Sequence, residues 1–339
     1  MKFQKELLAI QPQEVIKSIT DSIRAQVGGV LHKRGAVVAV SGGVDSAVCA
    51  ALCAQALGKD HVLALMLPEK TSSPDSLALG KLLADFLGIQ SIVQDITSIL
   101  EAAGCYRYQS EALRAIVPEY DDTWKYKIVI PSILDGDRLN ISRLVFEIPS
   151  GETKSVRMPS TAYQQIVAAT NFKQRTRRMV EYFHADRLNY AVCGTPNRLE
   201  YDQGFFVKLG DGSADFKPIA HLYKSQVYML SEALDIPLKI RSKAPTTDTF
   251  SLAQTQEEFY FALPYHTMDL CLYAYNHNYP AEAITEATGL SKEQVARVYR
   301  DIESKRRATL PLHLPPLLAH DVAEITLLKE SIISHQRLP

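Results

Sequence analysis

Apolar positions along the chain follow two different periods. Between 13 and 34, Val15, Ile16, Ile19, Ile23 and Val27 recur at helical spacing and predict an amphipathic helix. The uninterrupted run Ala36-Val37-Val38-Ala39-Val40 then predicts a short buried strand, and 47–57 a helix of small residues. Val62–Leu67 predicts a second strand, 74–88 a helix ending at Gly88, and Ile92–Ile96 a third strand. This β-α-β-α-β order argues for a parallel sheet covered by helices. Helix is expected again over 162–185, followed by a fourth strand over 189–193, and from 264 onward the pattern is mostly helical.

The regularity breaks near 105. Residues 106–160 mix Pro, Gly and charge with alternating runs at Tyr126–Ile130 and Leu144–Ile148, and Gly151-Glu152 is placed to turn a hairpin into Lys154–Met158. This segment reads as an insertion, a β-hairpin or a flap, within an α/β unit spanning 1–263. Residues 264–339 read as a helical C-terminal segment of the same unit. The expected fold class is a doubly wound parallel α/β sheet with a helical C-terminal part and an inserted segment.

Composition limits the function classes without choosing among them. With 339 residues, 46% of them hydrophobic, the chain can bury one large or two moderate cores. A net charge of −1 carries no bulk basicity of the kind that marks a nucleic-acid binder. Five cysteines do not make a disulfide scaffold, and Cys49 and Cys53, one helical turn apart, read as small core residues. No Cys/His spacing resembles a zinc site. Residues 1–6 lack the long apolar stretch of a secretion signal, and no run reaches the length of a membrane span, so a cytoplasmic, reducing compartment is expected.

The sharpest chemical signal is Ser41-Gly42-Gly43-Val44-Asp45-Ser46, between a buried strand and a helix. The glycines let backbone approach a ligand closely, the helix start presents unpaired N–H groups, and Ser41 and Ser46 add hydroxyls. Such a loop is built for an anion, at the strand end where parallel sheets bind ligands. It lacks the lysine of the common nucleotide loop and carries an aspartate instead. A carboxylate beside a triphosphate needs a cation between them, which makes Asp45 a candidate Mg²⁺ ligand.

The string resembles the pyrophosphate loop of the adenylating ATP pyrophosphatases, which cleave ATP between its α- and β-phosphates. Further motifs follow in order: Asn171–Arg177, Gly194–Glu200, Gly204–Lys208, Gly210–Asp215, Leu222–Val227, Lys243–Thr246 and Lys305-Arg306-Arg307. The ordered set resembles the ammonia-dependent NAD synthetases over about 10–105 and 162–316. Three departures stand out: the insertion at 106–160 is foreign to the compact family pattern, Ser304 replaces a frequent His, and Pro196-Asn197-Arg198 replaces other residues between Thr195 and Glu200.

The resemblance implies ATP as a substrate with Mg²⁺ held by Asp45 and Glu200. It implies ATP contacts from Ser41, Gly42, Gly43, Val44, Asp45, Ser46, Thr195, Lys224 and Thr246. Arg175, Lys208, Asp215 and Lys305 would contact deamido-NAD, with Asp211 near its pyridine ring; Asp45, Lys224 and Asp211 are the expected catalytic set. The residues independently suggest parts of this. Gly210 and Gly212 mark a tight turn that could present Asp211. Lys224, a cation at a helix start, opposes the helix dipole and suggests an anionic partner such as phosphate. Arg178 reads as part of a solvated charge run.

The implied reaction is amidation of deamido-NAD by ammonia through an acyl-adenylate, in a homodimer. About 35 residues precede the first strand, too few for a glutaminase domain, so free ammonia or ammonia from a separate partner is the expected nitrogen source. Two rivals remain. One is another adenylating ligase acting on a different carboxylate. The other is a nucleic-acid-binding regulator, because 281–300 has helix-turn-helix character with Arg297, Arg300, Lys305, Arg306 and Arg307 nearby; nucleic acid and membrane partners are not expected.

Overall fold

The computed structural model describes residues 3–130, 142–244 and 250–326. Helix α1 (Pro12–Arg24) leads through a wider π turn over Ala25–Val30 into β1 (Ala36–Ala39), and α2 (Val44–Leu57) connects to β2 (Val62–Met66). Helix α3 (Pro74–Leu87) starts on a Ser73 side-chain cap and stops at Gly88, which adopts a left-handed φ of 63°. Strand β3 (Gln90–Val93) begins two residues earlier than its apolar pattern predicts, because it pairs in register with Leu63–Met66. Helices α4 (Thr97–Ala102) and α5 (Cys105–Arg114) follow.

The expected insertion contains a separate antiparallel sheet of β4 (Lys125–Val129), β5 (Arg143–Glu147) and β6 (Thr153–Arg157), in that order. The hairpin expected at Gly151 is there, with Gly151 at φ 85°. The long α6 (Ser160–Leu188) returns the chain to the main sheet at β7 (Ala191–Cys193). Then come α7 (Arg198–Gln203), α8 (Lys224–Ala233), α9 (Leu238–Arg241), α10 (Tyr265–Asn276), α11 (Thr285–Thr288) and α12 (Lys292–His313).

The main sheet is parallel with order β3-β2-β1-β7. Alternate side chains feed two cores. Ala36, Val38, Val62, Ala64, Ala191 and Cys193 pack into one with α1, α2 and α8; Val37, Leu63, Leu65 and Val192 pack into the other beneath α4 and α6. This is the doubly wound arrangement expected from the apolar runs. The chain crosses from one side of β1 to the other after β3, so the ends of β1 and β7 form the switch point where such sheets hold ligands.

A third core joins Phe3 and Leu8 to Met268, Leu272, Ile284, Val295, Val298 and Ile302. The residues with helix-turn-helix character are therefore committed to packing. Their basic neighbours are neutralised nearby: Lys305 by Asp301, Arg306 by Asp202 and Arg307 by Glu303. All five cysteines are buried and free. Among the described residues, no helix is long and apolar enough to cross a membrane.

Candidate active site

At the switch point, the loop after β1 folds back on itself. The Ser46 hydroxyl donates to the Gly43 carbonyl (3.0 Å) and accepts from the Ser41 amide (3.3 Å). Gly42 adopts φ +76°, and a Cβ there would lie 2.7 Å from the Ser76 carbonyl, so only glycine fits this turn. The loop delivers Asp45 in the first turn of α2.

Lys224, the first residue of α8, donates to Asp45 Oδ2 and is almost wholly buried. Burial opposes its charge, but Asp45 and then Glu200 outweigh that, and its pKa is raised. The unfavourable placement at a helix start has a second resolution not visible in the sequence. The buried Asp269 carboxylate accepts the amides of Lys224 (3.3 Å) and Ser225 (2.7 Å), capping α8 from α10. Lys224 thus has a carboxylate as its anionic partner, and its helix has another.

Glu200 sits in a capping box on α7. Its Oε2 accepts the Asn197 amide (3.0 Å), while the Asn197 side chain accepts the Glu200 amide and donates to Asp45 Oδ1 (3.0 Å). Asn197 therefore ties the two carboxylates together. Burial first, and Asp45 second, push the Glu200 carboxyl up to about 7. Two close carboxylates, one of them destabilised as an anion, are a fitting half-shell for a divalent cation. No group of three or more Asp, Glu, His and Cys among the described residues could hold a metal alone, so any ion at Asp45 and Glu200 would take further ligands from substrate.

The cavity above this pair is lined by Ser41, Gly43, Val44, Asp45, Ser46, Thr195, Glu200, Asp211 and Lys224, all expected from the sequence. A family model described as NAD synthase matches residues 15–117 and 137–309. The chain belongs to the NAD synthase family. A protein of Mesorhizobium japonicum named NH(3)-dependent NAD(+) synthetase is 55% identical over 318 residues, covering 94% of this chain and all of the relative. One of the same name from Rhizobium rhizogenes is 53% identical, covering 94% and 96%. Two solved structures share the fold at 22% identity, each over 92% of this chain and 100% of the other. They are an NMN synthetase of Francisella tularensis (TM-score 0.63) and an NH3-dependent NAD synthetase of Campylobacter jejuni in complex with the nitrate ion (TM-score 0.60). The family match leaves out only 118–136 of the segment that looked foreign to the family. The match takes in 106–117 and 137–160 of that segment.

The other expected residues lie elsewhere. Arg175 donates to the Lys208 carbonyl (3.3 Å), and the Lys208 ammonium donates to the carbonyls of Pro311 (2.8 Å) and Leu314 (3.3 Å). Asp215 accepts the Val192 amide (2.7 Å) and the Tyr182 hydroxyl (3.2 Å) at the end of β7. Lys305 donates to the Tyr260 carbonyl (2.8 Å). None of these four is among the residues lining the cavity. Thr246 lies outside the described residues.

Several lining residues went unread. Arg178 is not a solvated charge: it is buried, pairs with Glu181 (2.7 Å), and donates to the carbonyls of Gly210 (3.0 Å) and Asp211 (3.4 Å). It fixes the turn whose Asp211 carboxylate accepts the Val207 amide (2.8 Å). Burial raises the carboxyl pKa of Asp211, and raises that of Glu181 to about 7. Arg177, Lys243 and Gln256 also line the cavity. Lys243 stood within a quoted motif; Arg178 and Glu181 could have been found as an i,i+3 opposite-charge pair on the predicted helix.

Proposed function

We propose that this chain makes NAD by joining ammonia to the nicotinate carboxyl of deamido-NAD, using ATP cleaved between its α- and β-phosphates. The observation that carries the reading is Lys224 buried between Asp45 and Glu200 beneath an N–H-rich loop, in a chain that spans the whole length of relatives named for this activity. The nicotinate carboxylate oxygen attacks the α-phosphorus, and the bond to pyrophosphate breaks. Ammonia then adds to the acyl carbon, AMP departs with its oxygen, and the nitrogen loses a proton.

Both reactants of the first step are anions, so catalysis consists mainly of positioning and charge neutralisation. The start of α2 and the Ser41 and Ser46 hydroxyls receive the pyrophosphate part of ATP, and Lys224 meets its developing charge. Asp45 and Glu200 would hold Mg²⁺, which supplies further neutralisation at the phosphates. Asp211, fixed by Val207 and Arg178, orients the pyridine end. Thr195 closes the cavity from the end of β7.

A homodimer would complete the dinucleotide site. Arg175, Met179 and Phe183 follow one another at four-residue spacing on α6, and Met179 (56%), Phe183 (60%) and nearby Leu209 (69%) are the exposed apolar residues there. Arg175 and Lys208 thus stand beside an apolar surface suited to a second copy rather than in the ATP cavity. Light scattering of the purified chain at twice the monomer mass is expected.

The test is a product assay with ATP, Mg²⁺, deamido-NAD and either ammonium or glutamine. NAD is expected with ammonium alone. Equal NAD formation with glutamine alone would contradict the nitrogen source. ATP–pyrophosphate exchange driven by another acid, but not by deamido-NAD, would favour a different ligase on the same core.

A further inference from the structure

Strand β4 lies within 118–136, the stretch that the family match leaves out. Its inner edge pairs with β5. Its outer edge is covered by the segment 250–258. The Leu252 amide donates to the Tyr126 carbonyl (3.0 Å), the Ile130 amide to the Glu258 carbonyl (3.0 Å), and the Tyr126 amide to Ser251 Oγ (2.9 Å). The Gln254 side chain donates to the Ile128 carbonyl, and Lys127 pairs with Glu258 (3.0 Å). Phe250 is buried in the core of the small sheet, against Tyr126 and Phe259.

This same segment carries Gln256, whose Nε2 donates to Glu200 Oε1 (2.9 Å) and which lines the cavity. The other oxygen of Glu200 is already held by Asn197. Gln256 is thus the second of two bonds that fix the carboxylate plane. Gln256 stands at the start of a single π turn (Glu257–Phe261), reached through residues 250–254, which have no helix or strand of their own; holding that bond unaided would cost the conformational entropy of ordering them. Edge pairing, the Gln254 bond and burial of Phe250 offset that cost.

We infer that β4 and its sheet are a splint for the ATP cavity: they hold 250–258 so that Gln256 keeps the Glu200 carboxylate turned into the site. Gln256 is a positioning residue, and β4 is its support. The inference rests on the reading of this cavity as the ATP site.

The experiment is calorimetric binding of ATP with Mg²⁺ to the full chain, which needs no second substrate, beside amide exchange at Leu252. Phe250→Ala loosens the segment from β4; Gln256→Leu removes the donor without touching β4. Each is expected to weaken ATP at least fivefold, and the double variant to match the weaker single rather than their product. Exchange at Leu252 should quicken in Phe250→Ala and stay unchanged in Gln256→Leu. In turnover, KM for ATP should rise fivefold or more while KM for deamido-NAD stays within twofold, a split that general loss of stability would not produce. If Phe250→Ala does not fold, Gln254→Leu serves as the loosening variant. Faster exchange at Leu252 with unchanged ATP affinity would overturn the splint, as would wild-type affinity in Gln256→Leu. A wild-type chain that binds no ATP would overturn the reading of the cavity, and the splint with it.

Discussion

The Lys224 ammonium donates to the Asp45 carboxylate across 179 positions of chain, and that bond closes the floor of the cavity between α8 and α2. Lys224→Met leaves Asp45 and Glu200 facing each other without their shared cation. Removing one partner of a buried pair costs about 3–5 kcal/mol, and the side chain of Asp45 is 16% exposed, so the lower end applies. Turnover should fall by roughly 10²–10³ if Lys224 also meets the phosphates, as for the loss of one preorganised charge contact. Thermal unfolding and steady-state kinetics check both. Turnover within tenfold of wild type would remove Lys224 from the reaction.

Glu200 serves both helix α7 and the proposed cation, and two substitutions separate these uses. Glutamine can also fill the third position of a capping box, so Glu200→Gln should keep the bond to Asn197 and the melting temperature. Glu200→Ala should lose the cap at a cost of about 1 kcal/mol. Both should lose turnover by at least about 10², the scale of one lost charge contact. A Glu200→Gln variant with wild-type turnover would show that no ionised carboxylate is needed there.

The Glu181 carboxyl, raised by burial to about 7 from its ordinary 4.5, gives a signed pH dependence. Between these values the folded chain binds more protons at this group than the unfolded chain, so its contribution to stability falls as pH rises through the window and is flat above it. Glu181→Gln removes the fall. The stability of the variant relative to wild type should improve by up to about 3 kcal/mol from pH 4.5 to pH 8, from the 1.36 kcal/mol carried by each pKa unit. Denaturant titrations at both pH values measure it; a pH-independent difference would contradict the assignment.

Lys173 and Glu69 form a buried pair (2.9 Å) that joins α6 to the loop after β2, and the Tyr106 hydroxyl donates to the same carboxylate (2.7 Å). Lys173→Met should destabilise the fold by about 3–5 kcal/mol, since it leaves Glu69 buried and unpaired. The double change Lys173→Met/Glu69→Leu should recover most of that loss. A single variant as stable as wild type by denaturant titration would show that the pair contributes little.

The main sheet was legible because β1, β2 and β7 are buried on both faces and read as apolar runs, whereas the exposed edge strand β3 was placed two residues late, and the anion loop because Gly42 and Gly43 have one strong use between a strand and a helix. Glu200 was legible only through ordered family motifs, since a lone Glu has no period, and Lys224 through those motifs and its misfit at a helix start. Asp269 and Gln256 were illegible for a different reason. Each acts through a partner that the fold brings from another element: the start of α8 and the Glu200 carboxylate. Residues 118–136 gave a strand pattern, yet nothing in that pattern says which segment lies along its outer edge.

Cys193 at the end of β7 packs with Cys49 and Cys53 of α2, all three buried and free; burial raises the thiol pKa of Cys49 and Cys193, and the Cys193 thiol first and burial second raise that of Cys53. Buried in this way behind the anion loop, they are shielded from thiol reagents in the folded chain. A thiol-directed dye can react only after strand and helix part, so its labelling rate becomes a clock for the opening of the sheet. Slower labelling with nucleotide present would time, residue by residue, how far ligand stiffens the ground beneath the loop.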